Sequence, residues 1–248
     1  MMPVHHLSPY EVLVADEPRS RRIHHRLRYR VFCLETGYED PAAHPDGEER
    51  DGWDRQAAHF LVRCRERDRW VAAARLVLPH PHRGLPIAAV ARLGRCPDAA
   101  SAEISRLSVV GQARRRIHQP AAPSRGGAPL TAGLRPLVDE GARVATRPVL
   151  QALLRALVAY SLDHGVEAWY LLVARAFARL LERTLPMRLE PVGPPCWHRG
   201  ERIPYRMDVA ETALALGREA LTGAYALASQ RLASVGGETE GLLLREVG

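Results

Sequence analysis

Apolar positions recur along this chain with two different spacings, and the alternation between them divides it into elements. Residues 10–15 (YEVLVA) are a short β-prone run. After Asp16 and Pro18, Ile23, Leu27, Val31 and Leu34 fall at helical spacing with arginines between them. That spacing predicts an amphipathic helix over 19–35 with a basic outer face. Residues 37–53 are polar and rich in Pro, Gly and acids, and read as a long ordered loop. Two apolar stretches, 58–64 (AHFLVRC) and 70–78 (WVAAARLVL), flank a charged turn and predict a hairpin. Residues 102–110 alternate with period two and predict another strand.

The second half continues in the same way. Residues 112–147 carry Pro, Gly, Ser and basic residues without periodicity, and read as a mobile insertion. A helix is predicted over 149–164, stopped by Gly165, then a buried strand over 166–173 and a helix over 174–185. A final strand pair is expected at 187–192 and 203–209, and a last helix at 211–233. The order predicts an α/β (α+β) domain over 1–209, a mixed sheet flanked by helices, followed by a C-terminal helix and tail over 210–248.

Composition narrows the function classes. The chain has 248 residues, 46% hydrophobic and 25% charged, as an ordinary globular protein does. No run approaches a membrane span, and residues 1–10 lack the basic-then-apolar pattern of a secretory signal, so a cytoplasmic location is expected. The net charge is +7, yet all 35 basic residues are arginine, and neither lysine nor asparagine occurs. That bias fits a GC-rich genome. It excludes Schiff-base and P-loop lysine chemistry. Aromatics are 6% and no helix-turn-helix or zinc signature is present, which argues against a nucleic-acid partner. The four cysteines are scattered with no CxxC, and the eleven histidines include the pair His24/His25 but no HExxH, so no metal site is expected.

Three clusters carry candidate chemistry. Glu49, Asp51 and Asp54 lie close together in the polar loop, where such acids bind a divalent cation, receive arginines or sit solvated. Arg75 interrupts an otherwise apolar strand and needs either water or an anionic partner. In 103–109 (EISRLSV), strict alternation puts Glu103 and Ser105 on one face and Ile104 and Arg106 on the other.

The ordered series Leu27-Arg28-Tyr29-Arg30-Val31-Phe32, then Glu49-x-Asp51-x-x-Asp54, then Arg75-Leu76-Val77-Leu78-Pro79, then Glu103-x-Ser105-Arg106-Leu107 resembles the acyl-homoserine-lactone (autoinducer) synthases. It resembles still more their relatives, the N-acyl amino acid synthases and the PEP-CTERM/exosortase-associated acyltransferases. Residues 180–208, with Pro191-Val192-Gly193-Pro194-Pro195 and Gly200, are similar to the C-terminal part of the last group. Tyr38 stands where autoinducer synthases favour tryptophan, and 112–147 is longer than theirs, which sets lactone formation apart from acyl transfer.

The resemblance implies a GNAT-like, mostly antiparallel sheet with an acyl thioester lying between two splayed strands, here 102–110 and 166–173. It implies an N-acyltransferase moving a fatty acyl group from acyl-acyl carrier protein, or acyl-CoA, to a small-molecule amine such as an amino acid. No cofactor is permanently bound; the thioester is a co-substrate. Glu103 is the first candidate base and Asp51 the second, with Glu103 as a mere ion-pair partner the competing reading. Arg28, Phe32, Glu49, Asp54, Arg75, Ser105 and Arg106 would line or order the acceptor pocket. Backbone N–H groups of Ser108, Val109 and Val110 would meet the acyl donor. Gly111 and the arginines after it make a poor pyrophosphate loop, which favours a carrier-protein donor. Arg19, Arg21, Arg22, Arg26 and Arg114–116 would steer that acidic partner. The alternatives are a lactone synthase using S-adenosylmethionine and a non-catalytic binding module on the same fold.

Overall fold

The computed structural model describes residues 8–111 and 146–232. Nine strands are present among them: β1 (Tyr10–Val14), β2 (Ala57–Cys64), β3 (Arg69–Val77), β4 (Ser101–Val109), β5 (Ala168–Val173), β6 (Glu190–Pro191), β7 (Cys196–Trp197), β8 (Glu201–Asp208) and β9 (Ala226–Leu227). The helices are α1 (Pro18–Tyr29), α2 (Pro86–Val90), α3 (Thr146–Asp163), α4 (Arg175–Thr184), α5 (Val209–Leu216), α6 (Arg218–Leu221) and α7 (Ala228–Leu232). The strands form one sheet in the order β6-β8-β5-β4-β3-β2-β1-β9, with β7 paired to β8. All pairings are antiparallel except β4 with β5 and β1 with β9.

Alternation along the strands sends each residue set to its own layer. On β3, Ala72, Ala74 and Leu76 join the core beneath α3, with Leu150, Leu153, Leu154 and Leu157. Ala73 on the other face packs with Leu13 and Leu61 against Ile23 and Leu27 of α1. Each such leucine contributes roughly 1.5–3 kcal/mol by leaving water. Further along that second face, Val77, Leu85, Ile87, Tyr170 and Val192 make a third apolar cluster. Pro18 opens α1, and the Ser20 hydroxyl accepts the Glu17 N–H at 3.3 Å.

Three expectations are corrected. The helix predicted over 19–35 ends at Tyr29 and continues as a π-helical turn, Arg30–Glu35. The wider turn keeps Val31 buried but carries Leu34 out to 59% exposure. The single helix predicted over 211–233 is broken at Gly217, whose φ of +78° ends α5, and the chain then makes α6, β9 and α7. The strand predicted at 187–192 shrinks to Glu190–Pro191, where Pro191 has no N–H to extend the ladder. Helix α2 and strand β7 were not foreseen. Of the expected insertion, 112–145 lies outside the described residues, as does the tail beyond 232. No described helix is long and apolar enough to cross a membrane.

Candidate active site

Strands β4 and β5 run parallel but pair only at Ser101↔Ala168, Ala102↔Trp169 and Glu103↔Tyr170. Beyond Glu103, β4 continues to Val109 against β3, while β5 stays with β8 through Val173. The sheet therefore splays at Glu103, as expected. Across the sheet Glu103 sits between Val77 and Tyr170, and its Oε2 accepts the Ile87 N–H at 2.6 Å. No arginine reaches it within ion-pairing distance among the described residues, so Glu103 is a lone buried carboxyl. Burial pushes its pKa up to about 7, and the Ile87 N–H and the more distant Arg75 and Arg106 charges pull it only partly back.

One row further along the same face lie His59, Arg75 and Ser105, aligned across β2, β3 and β4. The register then slips: Ala73 opposes Ser108 while Arg75 opposes Ser105, which inserts one extra residue in β4. Arg106 adopts φ +51° at this bulge. The expectation that Arg106 points away from Ser105 is thereby corrected. The bulge turns Arg106 onto the same face, where its guanidinium joins the acidic loop.

There the six predicted charged side chains meet. Arg28 is fully buried and donates from Nε to Glu49 at 2.6 Å and from Nη1 to Asp54 at 2.6 Å. Arg75 donates from Nε to Ser105 Oγ at 3.1 Å and from Nη1 to Asp51 and Asp54 at 2.5 and 2.9 Å. Arg106 donates to Glu49 at 3.1 Å, to Asp51 at 3.2 Å and to Glu39 at 3.1 Å. Burial opposes ionisation of all three loop acids, but the arginines outweigh it: Arg28 and Arg106 lower Glu49, Arg75 lowers Asp51, and Arg28 and Arg75 hold Asp54 well below the usual range. These acids are thus fully ionised at neutral pH, unlike Glu103. Of the three open readings for the loop acids, the structure selects the receipt of arginines.

The π-helical turn carries the outer wall. Phe32 O accepts the N–H groups of Tyr38 and Glu39 at 2.8 and 3.0 Å, with Gly37 at φ +63° making the reversal. This swings Glu39 toward Arg106 and Arg199, whose Nη2 donates to Glu39 at 2.7 Å. The Phe32 ring lies under the Arg106 guanidinium, 5.6 Å from its centre. Glu39 and Arg199 escaped sequence reasoning because Arg199 lies in a segment that read only as turn-rich.

Two further observations limit the chemistry. Burial and the charges of Glu49 and Glu39 push the Cys33 thiol up to about 11, so it is no thiolate nucleophile at neutral pH. Of the three residues expected to meet the acyl donor, Ser108 and Val109 pair with β3, and the Val110 N–H is committed to Val71 O at 3.0 Å. The edge of β4 left unpaired beyond Glu103 is the one that faces the splay. Sequence reasoning also missed a group of three histidines, His24, His25 and His59, beneath the ion network.

The Acetyltransferase (GNAT) domain model matches residues 27–119, the span from α1 through β4. No curated protein matches the chain by sequence. Among solved structures, the CoA-dependent acyl-homoserine lactone synthase BjaI, determined with SAM and isopentyl-CoA, superposes with TM-score 0.56. It is 19% identical, over 87% of this chain and 86% of that one. The AHL synthase LasI gives 0.55 at 16% identity, over 88% and 97%. The CoA-dependent acyl-homoserine lactone synthase MesI gives 0.53 at 18% identity, over 92% and 96%. At these identities the likeness is one of fold: the chain carries a GNAT acyltransferase fold of the architecture found in autoinducer synthases.

Proposed function

We propose that this protein is an N-acyltransferase that moves a fatty acyl group from a thioester, acyl-acyl carrier protein or acyl-CoA, to the amine of a small zwitterionic acceptor such as an amino acid. The observation that carries the reading is Glu103: a buried carboxyl with pKa about 7, unpaired by any arginine among the described residues, at the point where β4 and β5 part. A base of that pKa takes a proton readily at neutral pH.

In this reading the thioester enters the splay, and the acceptor sits between it and the charged loop. Asp51 and Arg106, 29% and 20% exposed at their side chains, are the parts of the network open to a ligand. One group of each sign, the Asp51 carboxylate and the Arg106 guanidinium, suits an acceptor carrying both an ammonium and a carboxylate. Deep pairs such as Arg28–Glu49 hold the geometry. The amine nitrogen, once neutral, bonds to the carbonyl carbon and gives its proton to Glu103, directly or through water. The tetrahedral oxyanion collapses, the C–S bond breaks, and the proton passes to the departing thiolate. No covalent enzyme intermediate is needed because the thioester is already activated. Arg19, Arg21, Arg22 and Arg26 on α1 offer a basic surface to an acidic carrier protein.

The lactone synthase fold of BjaI, LasI and MesI favours a second reading, in which S-adenosylmethionine supplies the amine and a lactone is formed. Mass spectrometry of extracts from a host expressing the chain tests both. New N-acylated amines that vanish in Glu103→Gln support the first reading, and an acylated lactone supports the second. No new species with either donor supplied to purified protein would leave a binding module on the same fold.

A further inference from the structure

His24 and His25 are neighbours on α1, and His59 stands on β2 facing them. One ring nitrogen from each lies within 4.8 Å of the other two. The rings meet edge to face, with centroids 4.6 Å apart for His24 and His59 and 5.6 Å for His25 and His59. His24 and His59 are buried at 0% and 3% exposure, and the His25 side chain is 13% exposed.

The hydrogen bonds fix which nitrogens carry protons. His24 Nε2 lies 3.1 Å from Ala74 O, and His59 Nε2 lies 3.1 Å from Asp54 O. Carbonyl oxygens only accept, so both rings donate from Nε2 and keep a bare lone pair on Nδ1. His25 turns Nδ1 toward the Glu48 carboxylate at 3.8 Å. A proton on that nitrogen faces the charge favourably and leaves the lone pair on Nε2. The three remaining nitrogens, His24 Nδ1, His25 Nε2 and His59 Nδ1, are buried and have no hydrogen-bond partner.

Three buried acceptors pointing into one small space need a common electrophile. A water molecule has two hydrogens and leaves the third lone pair unmet. A metal ion meets all three. We propose that His24, His25 and His59 form a three-imidazole site for a divalent transition metal of the zinc type. Nitrogen ligands with no carboxylate among them select zinc, cobalt, nickel or copper over magnesium or calcium. His24 and His59 already have the outer partner such sites use, a carbonyl on the second ring nitrogen, and the Glu48 carboxylate stands 3.8 Å from that of His25. Around a tetrahedral ion the nitrogens stand roughly 3.4 Å apart. The soft imidazole χ2 torsion allows that closure.

The charges around the site are paired. Glu49 and Asp54 both bond to Arg28, and Glu48 beside His25 also takes Arg22, Arg26 and Arg50. His25, 13% exposed at its side chain, is the ligand nearest solvent. The ion would tie α1 to β2 one helical turn before Arg28, bracing the acceptor wall from below.

The test uses the full-length protein, stripped with chelator and titrated with Co2+ while the visible ligand-field absorption is followed. One equivalent should bind with the intense bands of a low-coordinate site, Zn2+ should displace it, and Zn2+ should raise Tm. His25→Gln, the variant at the least buried ligand, should lose the bands and the Zn2+-dependent Tm shift while its far-UV circular dichroism is retained. A His5→Gln/His6→Gln double variant should keep both. Wild type that takes up no Co2+, a band that survives in His25→Gln, or a band lost with His5 and His6 would each overturn the site. The wild-type titration decides the matter even where a histidine variant does not fold.

Discussion

Asp51 donates its backbone N–H to Oδ2 of Asp54 at 2.7 Å, and Oδ1 of each carboxylate takes a hydrogen from the same guanidinium nitrogen, Nη1 of Arg75. Two like charges held this close are stabilised by that shared cation, with Arg28 on Asp54 and Arg106 on Asp51 beside it. Arg75→Met keeps the volume and removes the charge. It should lower folding stability by about 3–5 kcal/mol, the cost of breaking a buried ion pair. Urea denaturation measures this, and a loss below about 1 kcal/mol would mean that the loop does not depend on Arg75.

The ionisation of Glu103 should set the pH dependence of the reaction. With a pKa of about 7, the base is protonated and inactive in acid. kcat/KM, expressed per neutral amine, should rise tenfold per pH unit below 7 and level off above it. Glu103→Gln should lose that limb together with about 10²–10⁴-fold in rate. An unchanged profile in the variant would dismiss Glu103 as the base.

The same carboxyl should leave a mark on stability. Its folded pKa of about 7 exceeds the ordinary 4.5, so the folded state holds the proton more tightly. Its favourable contribution is complete below pH 4.5 and fades as pH rises to 7, a change on the order of 3 kcal/mol. His25 and His59, lowered to about 4, act in the opposite sense between pH 4 and 6.5. The difference between wild type and Glu103→Gln removes their effect. The variant should gain on wild type as pH climbs from 4.5 to 7, and a pH-independent difference would contradict the buried, raised carboxyl.

Asp51 keeps 29% of its side chain exposed, the most open acid of the three in the loop. Asp51→Asn should raise KM for the amine about 10–100-fold, as expected for a charged hydrogen bond of 1.5–3 kcal/mol. KM for the thioester should not move. Equal changes in both constants would place Asp51 in the scaffold and not in the pocket.

Gly193 follows Val192, which packs with Val77, Ile87 and Tyr170 in the apolar cluster beside Glu103. A Cβ there would stand 2.0 Å from Arg92 O and 3.0 Å from Pro204 Cγ. Gly193→Ala should cost about 1–3 kcal/mol through forced backbone movement, measured as a fall in Tm.

Much of this architecture is written locally. The apolar runs at β2, β3, β4 and β5 locate the central strands within a residue or two, and the arginine in β3 announces an anionic partner. The bulge at Arg106 is not written locally, because it arises from how β4 registers against β3. The π-helical turn is equally hidden, since Val31 and Leu34 fit an ordinary helix by spacing. Ile87 meets Glu103 only after α2 folds over the sheet. The three histidines converge only when α1 has packed on β2, and nothing in the separation of residues 24 and 59 foretells it.

The sheet order gives the late part of the chain an unusual task. β8 and β6 extend the sheet on one side, while β9, Ala226–Leu227, lies parallel to β1 on the other. Both borders are thus supplied by residues 190–227, after the centre has been laid down. During synthesis β1 presents bare N–H and C=O groups to its surroundings until β9 leaves the ribosome. Ser229, just past β9, secures that closure by donating its backbone N–H to Asp16 at 2.9 Å. A shortened chain ending before Ala226 would carry a sticky open border and should assemble edge to edge with copies of itself.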